Sequence, residues 1–332
     1  MDADLELRLE PADEYTHAVE DDPTFNESMY FNLFDPRARV GGFFRLGNRP
    51  NEGHAEMTVC LYLPGGEVAF MFGRPAIPGN EAFDAAGLRF ETVEPFEALR
   101  VTYSGPVALL ADPLTMRDPK RAFAEAETVE CEVELDYRGL SPVLGGEAQG
   151  PFSDTDLLAR FARAHYEQHV GAHGRIVCGA SEWELDGYGL RDHSWGPRSW
   201  QAPLWYRWLT CNAGPEHGFM VSVIATRDGN VRSSGVLFEN GEYAPITSAR
   251  IKTEWSGSHH DQAAISCRAS AGEREVEIAG TVLSLIPLRH RRDGELTRIG
   301  EGLTEYRWEG RTGYGLSEYL DQVENGRPAG AA

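Results

Sequence analysis

The feature that most constrains this chain is its hydrophobic rhythm. Over most of its length apolar and polar residues alternate with period two between clusters of Gly, Pro, Asn and Asp. Successive side chains of a strand point to opposite faces, so this rhythm predicts antiparallel strands with one face packed and one wet. His54 to Leu63 and Glu67 to Phe72, separated by Pro-Gly-Gly, form a predicted hairpin. Further strands are predicted at Leu99 to Tyr103, Thr128 to Tyr137, Leu204 to Cys211, Phe219 to Thr226, Val231 to Glu239 and Glu275 to Leu285. One helix is predicted, starting at Ser153 or Asp154 with Leu157, Leu158, Phe161 and Ala162 at helical spacing. Many short strands with a single helix give an all-β class, sandwich or barrel, rather than βαβ units.

Charge narrows the partners. The net charge is −21 with a pI near 4.9, which repels phosphate backbones and anionic lipid and argues against nucleic acid. No run reaches the roughly 18 consecutive apolar residues of a membrane-spanning helix, so no membrane insertion is expected. The start, MDADLELRLEP, has neither a basic nor an apolar region, which leads to the expectation of a cytoplasmic protein. The five cysteines, Cys60, Cys131, Cys178, Cys211 and Cys267, are widely spaced with no CxxC pair, and read as buried thiols.

At 332 residues the chain is long enough for two cores. The Gly/Pro-rich stretch from Gly139 to Pro151 looks like a linker, yet an internal echo argues for a later boundary. Residues 183–192 read WELDGYGLRD and residues 308–318 read WEGRTGYGLSE. If each domain closes with this element, an N-terminal β domain covers 1–200, with a helical insertion near 153–164, and a C-terminal β domain covers 201–332. Chance similarity of two Gly-Tyr-Gly strands is the alternative.

Candidate chemistry concentrates in GYGLRDHSWGPRSWQAPLWYRW, residues 187–208. Five of the seven tryptophans, Trp183, Trp195, Trp200, Trp205 and Trp208, lie in or just before it, and residues 1–150 contain none. Such rings wall an apolar pocket and stabilise a nearby cation, although a packed core uses them equally. Arg191, Asp192 and His193 offer a cation, an acid and a base in three residues. In an extended strand Asp192 and Ser194 share one face while Arg191, His193 and Trp195 share the other. Asp192 and His193 therefore form no catalytic pair unless the chain bulges, which the neighbouring glycines allow. Upstream, His165, Glu167 and His169 share one strand face and Tyr166 the other. With His173 they also fit helical spacing for a metal, but no remote ligand set completes them, and no metal is expected. Near the C-terminus Trp308 and Glu318 repeat the mixture, with Glu318 standing at the place of Asp192 in the echo. P-loop, GxSxG, HExxH and dinucleotide fingerprints are missing from the sequence, so no cofactor is expected.

The run Asp192-His193-x-Trp195-Gly196 after Gly187-x-Gly189, read with His165 to Gln168, resembles the carotenoid 1,2-hydratase and AttH-like superfamily, which includes Diels-Alderase-type cyclases. The resemblance implies two tandem lipocalin-like β domains with a ligand between them, and an enzyme that protonates an alkene. On that basis Asp192 is the expected proton donor, with Trp195 and Tyr188 lining the cavity and His193, Glu167 or Tyr166 placing a water; Trp205, Trp208, Trp308 and Glu318 complete the expected binding surface. The expected activity is a cofactor-independent hydratase or dehydratase, or a related isomerase or cyclase, acting on an apolar isoprenoid, steroid-like or polyketide-like molecule. The competing expectation is a non-catalytic carrier of an apolar ligand.

Overall fold

The computed structural model describes residues 7–148 and 163–331. The expected helix at 153–164 lies outside the described residues but for its last two positions, which are not helical. The described α-helix is Pro119–Glu125, a short segment opened by Asp118-Pro119, where proline's fixed φ suits a first turn. Everything else of consequence is antiparallel strand, as the alternation requires.

The chain divides into two compact units. The first comprises Met1–Leu61, Ala69–Leu109 and Glu127–Ser199, and the second Tyr62–Val68, Leu110–Ala126 and Trp200–Ala332.

In the first unit eight strands form a ring: β1 (Phe25–Asp35), β2 (Val40–Arg49), β3 (His54–Tyr62), β4 (Val68–Gly73), β5 (Ala98–Leu110), β6 (Glu127–Gly139), β7 (Ala164–Cys178) and β8 (Ser181–Pro197). Each is hydrogen-bonded to the next, from β1 through β2, β3, β4, β5, β6 and β7 to β8 and back to β1, so the sheet closes as a lipocalin-like barrel. Its lumen is identified by contacts across the ring. Phe31 of β1 lies 4.9 Å from Phe90 and 5.0 Å from Tyr137 of β6, centroid to centroid, and neither belongs to a strand paired with β1. Odd-numbered residues of β1 therefore face inward, and with them their cross-strand partners on β8, Arg191, His193 and Trp195.

The second unit repeats the plan with β9 (Trp205–Asn212), β10 (His217–Ala225), β11 (Val231–Glu239), β12 (Ser248–Ser256), β13 (Asp261–Ala271), β14 (Arg274–Arg292), β15 (Glu295–Trp308) and β16 (Arg311–Glu324). Their order is β11-β10-β9-β16-β15-β14-β13-β12, which is the order of the first ring with eight added to each strand number. The concave side holds a core that includes Leu209, Phe219, Ile278, Tyr306, Trp308 and Tyr319. Burial alternates one residue in two along strands such as β6 and β12, whereas β1, β2, β3 and β9 are buried on both faces, which the period-two pattern does not predict.

The sequence echo acquires a mechanical meaning here. Gly-Tyr-Gly-Leu falls on β8 in the first unit and on β16 in the second, the last strand of each. A Cβ at Gly189 would overlap the carbonyl oxygen of Asn32 on β1, and one at Gly315 that of Thr210 on β9. Only glycine permits strands to approach so closely. Beyond each close approach the leucine amide bonds to a side chain instead of the ladder: Leu190 donates to Asn32 Oδ1 at 2.9 Å and Leu316 to Thr210 Oγ1 at 3.3 Å. Trp-Glu does not follow the same rule, since Trp183 lies within β8 whereas Trp308 ends β15 ahead of the turn. Replacing Asn32 by Ala orphans a buried amide and should cost about 1–3 kcal/mol. Equilibrium urea unfolding measures it, and an unchanged midpoint would show that the Leu190 amide finds another acceptor.

Candidate acid–base site

Strand register places a row of polar side chains along the outward face of the first barrel. Glu167 of β7 stands opposite Asp192 of β8, Asp192 opposite Tyr30 of β1, and Tyr30 opposite Arg45 of β2. Adjacent strands are about 4.8 Å apart, so four functional side chains stand shoulder to shoulder across four strands. Arg45 continues the row to Glu56 of β3, 3.7 Å away. One residue pair along, His165 stands opposite Ser194, and Ser194 opposite Ser28, with the two hydroxyls 3.1 Å apart.

His165 joins the two carboxylates: its Nε2 lies 4.0 Å from Glu167 Oε1 and 4.0 Å from Asp192 Oδ2. Side-chain exposure falls from 35% at His165 through 19% at Asp192 to 8% at Glu167, so Asp192 is accessible yet largely shielded from bulk water. Burial alone would push the His165 imidazole down, but the Asp192 and Glu167 carboxylates more than offset it and raise its pKa, against a smaller opposing effect of Arg198. Burial pushes the Arg45 guanidinium down to about 10, with Arg198 and Arg49 adding repulsion and Glu56 and Asp192 opposing it. Asp192 therefore has basic groups for neighbours, the His165 imidazole and the Arg45 guanidinium, where the family resemblance implies aromatic walls.

A titration of His165 tests this electrostatic reading. Because its folded-state pKa lies above the ordinary 6.5, the stabilisation it contributes is complete below that pH and is lost as pH rises through the folded-state value. Imidazole proton shifts followed by NMR should show the raised midpoint, and Asp192→Asn should bring it down. A midpoint indifferent to Asp192 would mean that the two groups do not interact.

The opposite face of the same strands carries a second polar system, inside the lumen. The β1–β8 ladder runs from Arg191↔Phe31 to Pro197↔Phe25 in one register, so the bulge that would bring Asp192 and His193 together does not occur. His193 bonds instead to Tyr166 (Nδ1 to Oη, 3.1 Å) and to Glu27 (Nε2 to Oε1, 2.9 Å). Tyr166 donates to Glu14 Oε1 at 2.8 Å, and Arg191 grips Glu14 through both terminal nitrogens at 2.6 and 2.9 Å. Gln168 accepts from Arg191 at 2.7 and 2.9 Å. Glu14 and Asp13 come from a 3₁₀ turn, Pro11–Glu14, and His17 follows it, so this N-terminal strap supplies half of the network. Burial pushes the Glu27 carboxyl up, but hydrogen bonds from His17 and His193 outweigh burial and hold it at about 2. Trp195 stacks on the His17 ring at 4.0 Å.

Of the residues singled out from sequence, the structure brings together Asp192 and Glu167 on one face, and His193, Tyr166 and Trp195 on the other. Tyr188 shares the face of Asp192 but stands four residues along the strand. In the second unit Trp308 belongs to the core and Trp205 packs against it. Trp208 and Glu318 stand opposite each other on the reverse face, where Glu318 accepts the Tyr206 hydroxyl. Sequence reasoning missed Tyr30, Arg45, Glu14, Glu27 and His17. Glu27 carries a visible signal, a carboxylate at an inward position of β1 between Phe25 and Met29.

Comparison with known proteins follows the fold. The profile of one family, described as "Domain of unknown function (DUF7064)", matches residues 10–323. No curated protein matches the chain in sequence. Among solved structures, a candidate AttH of Nitrosomonas europaea shares 15% identity and a TM-score of 0.58, covering 94% of this chain and 98% of that one. CghA, solved with Sch210972, shares 12% identity and a TM-score of 0.55 over 96% and 97%. Kievitone hydratase of Nectria haematococca shares 8% identity and a TM-score of 0.58 over 96% and 94%. The AttH-like, tandem lipocalin-like fold expected from the sequence is therefore the fold of this chain.

Proposed function

We propose that this chain, which belongs to the DUF7064 family, is an acid–base enzyme of the hydratase, dehydratase or cyclase kind, acting on an apolar isoprenoid-, steroid- or polyketide-like molecule. The observation that carries the reading is the register of Glu167, Asp192, Tyr30 and Arg45 across four strands, with His165 within 4.0 Å of both carboxylates. Asp192 is the group that exchanges a proton with substrate, since it is more open than Glu167 and central in the row. His165 and Glu167 hold that proton between turnovers, and the Tyr30 hydroxyl and Arg45 guanidinium are placed to stabilise oxygen-centred charge beside it. Proton addition to an alkene, capture of the cation by water and return of one water proton to the carboxylate give hydration; the reverse gives dehydration; capture of the cation by a second alkene, with loss of a proton to the carboxylate, gives cyclisation. A kievitone hydratase among proteins of this fold supports the class, while fold alone assigns no reaction.

The experiment begins with what the protein carries. Native mass spectrometry of protein purified from its own host identifies the bound molecule. That molecule and its hydrated or dehydrated partner are then incubated with the protein in ¹⁸O-labelled water. Incorporation of label, abolished in Asp192→Asn, is the expected result. A ligand held tightly with no label incorporated and no rearrangement would make the protein a carrier.

A further inference from the structure

We propose that His17, Glu27 and His193 form a site for one divalent transition-metal ion of the zinc or iron(II) class, which fastens the N-terminal strap to the lumen-facing side chains of β1 and β8. Among the described residues this is the group of histidine, cysteine and carboxylate side chains whose ligand atoms all lie within 4.8 Å of one another. It is not the group weighed from the sequence, His165, Glu167 and His169, and it departs from the expectation that no metal binds. The three residues come from the strap, β1 and β8, so only the folded chain assembles them.

The donors face each other through a single oxygen. Glu27 Oε1 lies 2.6 Å from His17 Nδ1 and 2.9 Å from His193 Nε2. Ligands at about 2.0–2.1 Å from a tetrahedral zinc are separated by about 3.3 Å, so an ion needs the two oxygen–nitrogen distances to lengthen by less than about 1 Å, and the two nitrogens lie within 4.8 Å of each other. Two imidazoles and one carboxylate suit zinc, iron(II) and their neighbours, and three protein ligands leave a position open.

What distinguishes this cluster from an ordinary histidine–carboxylate pair is the support behind each ligand. The nitrogen of His17 that faces away, Nε2, lies 3.3 Å from the Asp13 carboxylate. The corresponding Nδ1 of His193 lies 3.1 Å from the Tyr166 hydroxyl. The second oxygen of Glu27 accepts the His17 backbone amide at 2.8 Å and the Asn80 amide at 2.5 Å. Metal-binding histidines have their remote nitrogen held in this way, which fixes the tautomer and the ring. Trp195, stacked on His17, and Phe83, edge-on to His193 at 5.5 Å, exclude water from two sides. His17, with 20% of its side chain exposed, leaves a way in.

This site stands apart from the proposed function, because Asp192 points to the other face of β8, so either can fail alone. The test uses untagged protein stripped with chelator, then titrated with zinc and with cobalt(II) as a spectroscopic probe. One equivalent should bind, with cobalt giving the visible bands of a four- or five-coordinate nitrogen–oxygen site. His17→Gln, a change on the strap that leaves every barrel strand intact, should abolish the stoichiometric uptake and the bands. Tyr166→Phe should weaken binding by about 10- to 100-fold, the usual effect of removing a residue that orients a ligand. With a net charge of −21, loose surface binding is expected throughout, and the variants subtract it. Uptake that survives in folded His17→Gln overturns the proposal. So does a wild-type cobalt complex without those bands, a result that stands even if the variants do not fold.

Discussion

Replacing Arg191 with Met should destabilise the first barrel by about 3–5 kcal/mol, the cost of leaving a buried charge without its partner. The Arg191 and Glu14 side chains are both fully buried, and they form a two-pronged ion pair at 2.6 and 2.9 Å. Glu14 also accepts the Phe96 amide at 2.8 Å and the Tyr166 hydroxyl, so its carboxylate is the node where the strap meets the barrel. Removing the guanidinium leaves that carboxylate with two neutral donors and no counter-charge. Burial disfavours the charged form, so the strap should lift away and expose Glu14 rather than remain in place. Chemical denaturation gives the loss, and hydrogen exchange at residues 11–17 shows whether the strap opens first. The double change Arg191→Met with Glu14→Gln should recover much of the stability, because a buried ion pair is costly to break and far less costly to replace whole. A double variant as unstable as the single one would show that the pair matters through its shape rather than its charge.

The fold was largely legible because its cause is local. Alternation with period two located β3, β6, β9, β10 and β11 closely, whereas Leu99 to Tyr103 covers only the N-terminal part of β5. Gly-Tyr-Gly-Leu marked the last strand of both sheets for a reason sequence alone could not supply, namely backbone crowding against Asn32 and Thr210. The site was legible only along a strand. Alternation separates Asp192 from His193 without any structure, and the register confirms the separation. Which residue stands opposite Asp192 depends on strand pairing between positions 162 and 25 residues away, and no local signal encodes that. Glu14 and His17, although decisive for the lumen network, belong to a strap with no periodicity at all. The tryptophan cluster shows the limit of composition: it divides between the core of one unit, the lumen of the other and a face with Glu318, and the rings give no sign of which is which.

Asp192→Asn is the change expected to silence the protein while leaving it folded. Asparagine has the shape of aspartate and keeps a carbonyl oxygen, so packing against Tyr30 and Glu167 is preserved. What it loses is the exchangeable carboxyl proton and the negative charge beside His165 and Arg45. If Asp192 moves a proton in the rate-limiting step, turnover should fall by at least about 100-fold while ligand affinity changes little, the pattern of an interaction made in the transition state. Glu167→Gln should do less to turnover, since Glu167 reaches substrate through its neighbours, and its main effect should be on the His165 titration. Changing Arg45 to Met separates charge from proton transfer: it should reduce turnover without removing the acid, and a Lys in its place should restore part of the loss. Affinity, turnover and the His165 midpoint measured on the four proteins distinguish the cases. Asp192→Asn protein that turns over like the wild type removes Asp192 from the mechanism. A protein that unfolds instead gives Asp192 a structural role, between His165 and Arg45 on the barrel wall.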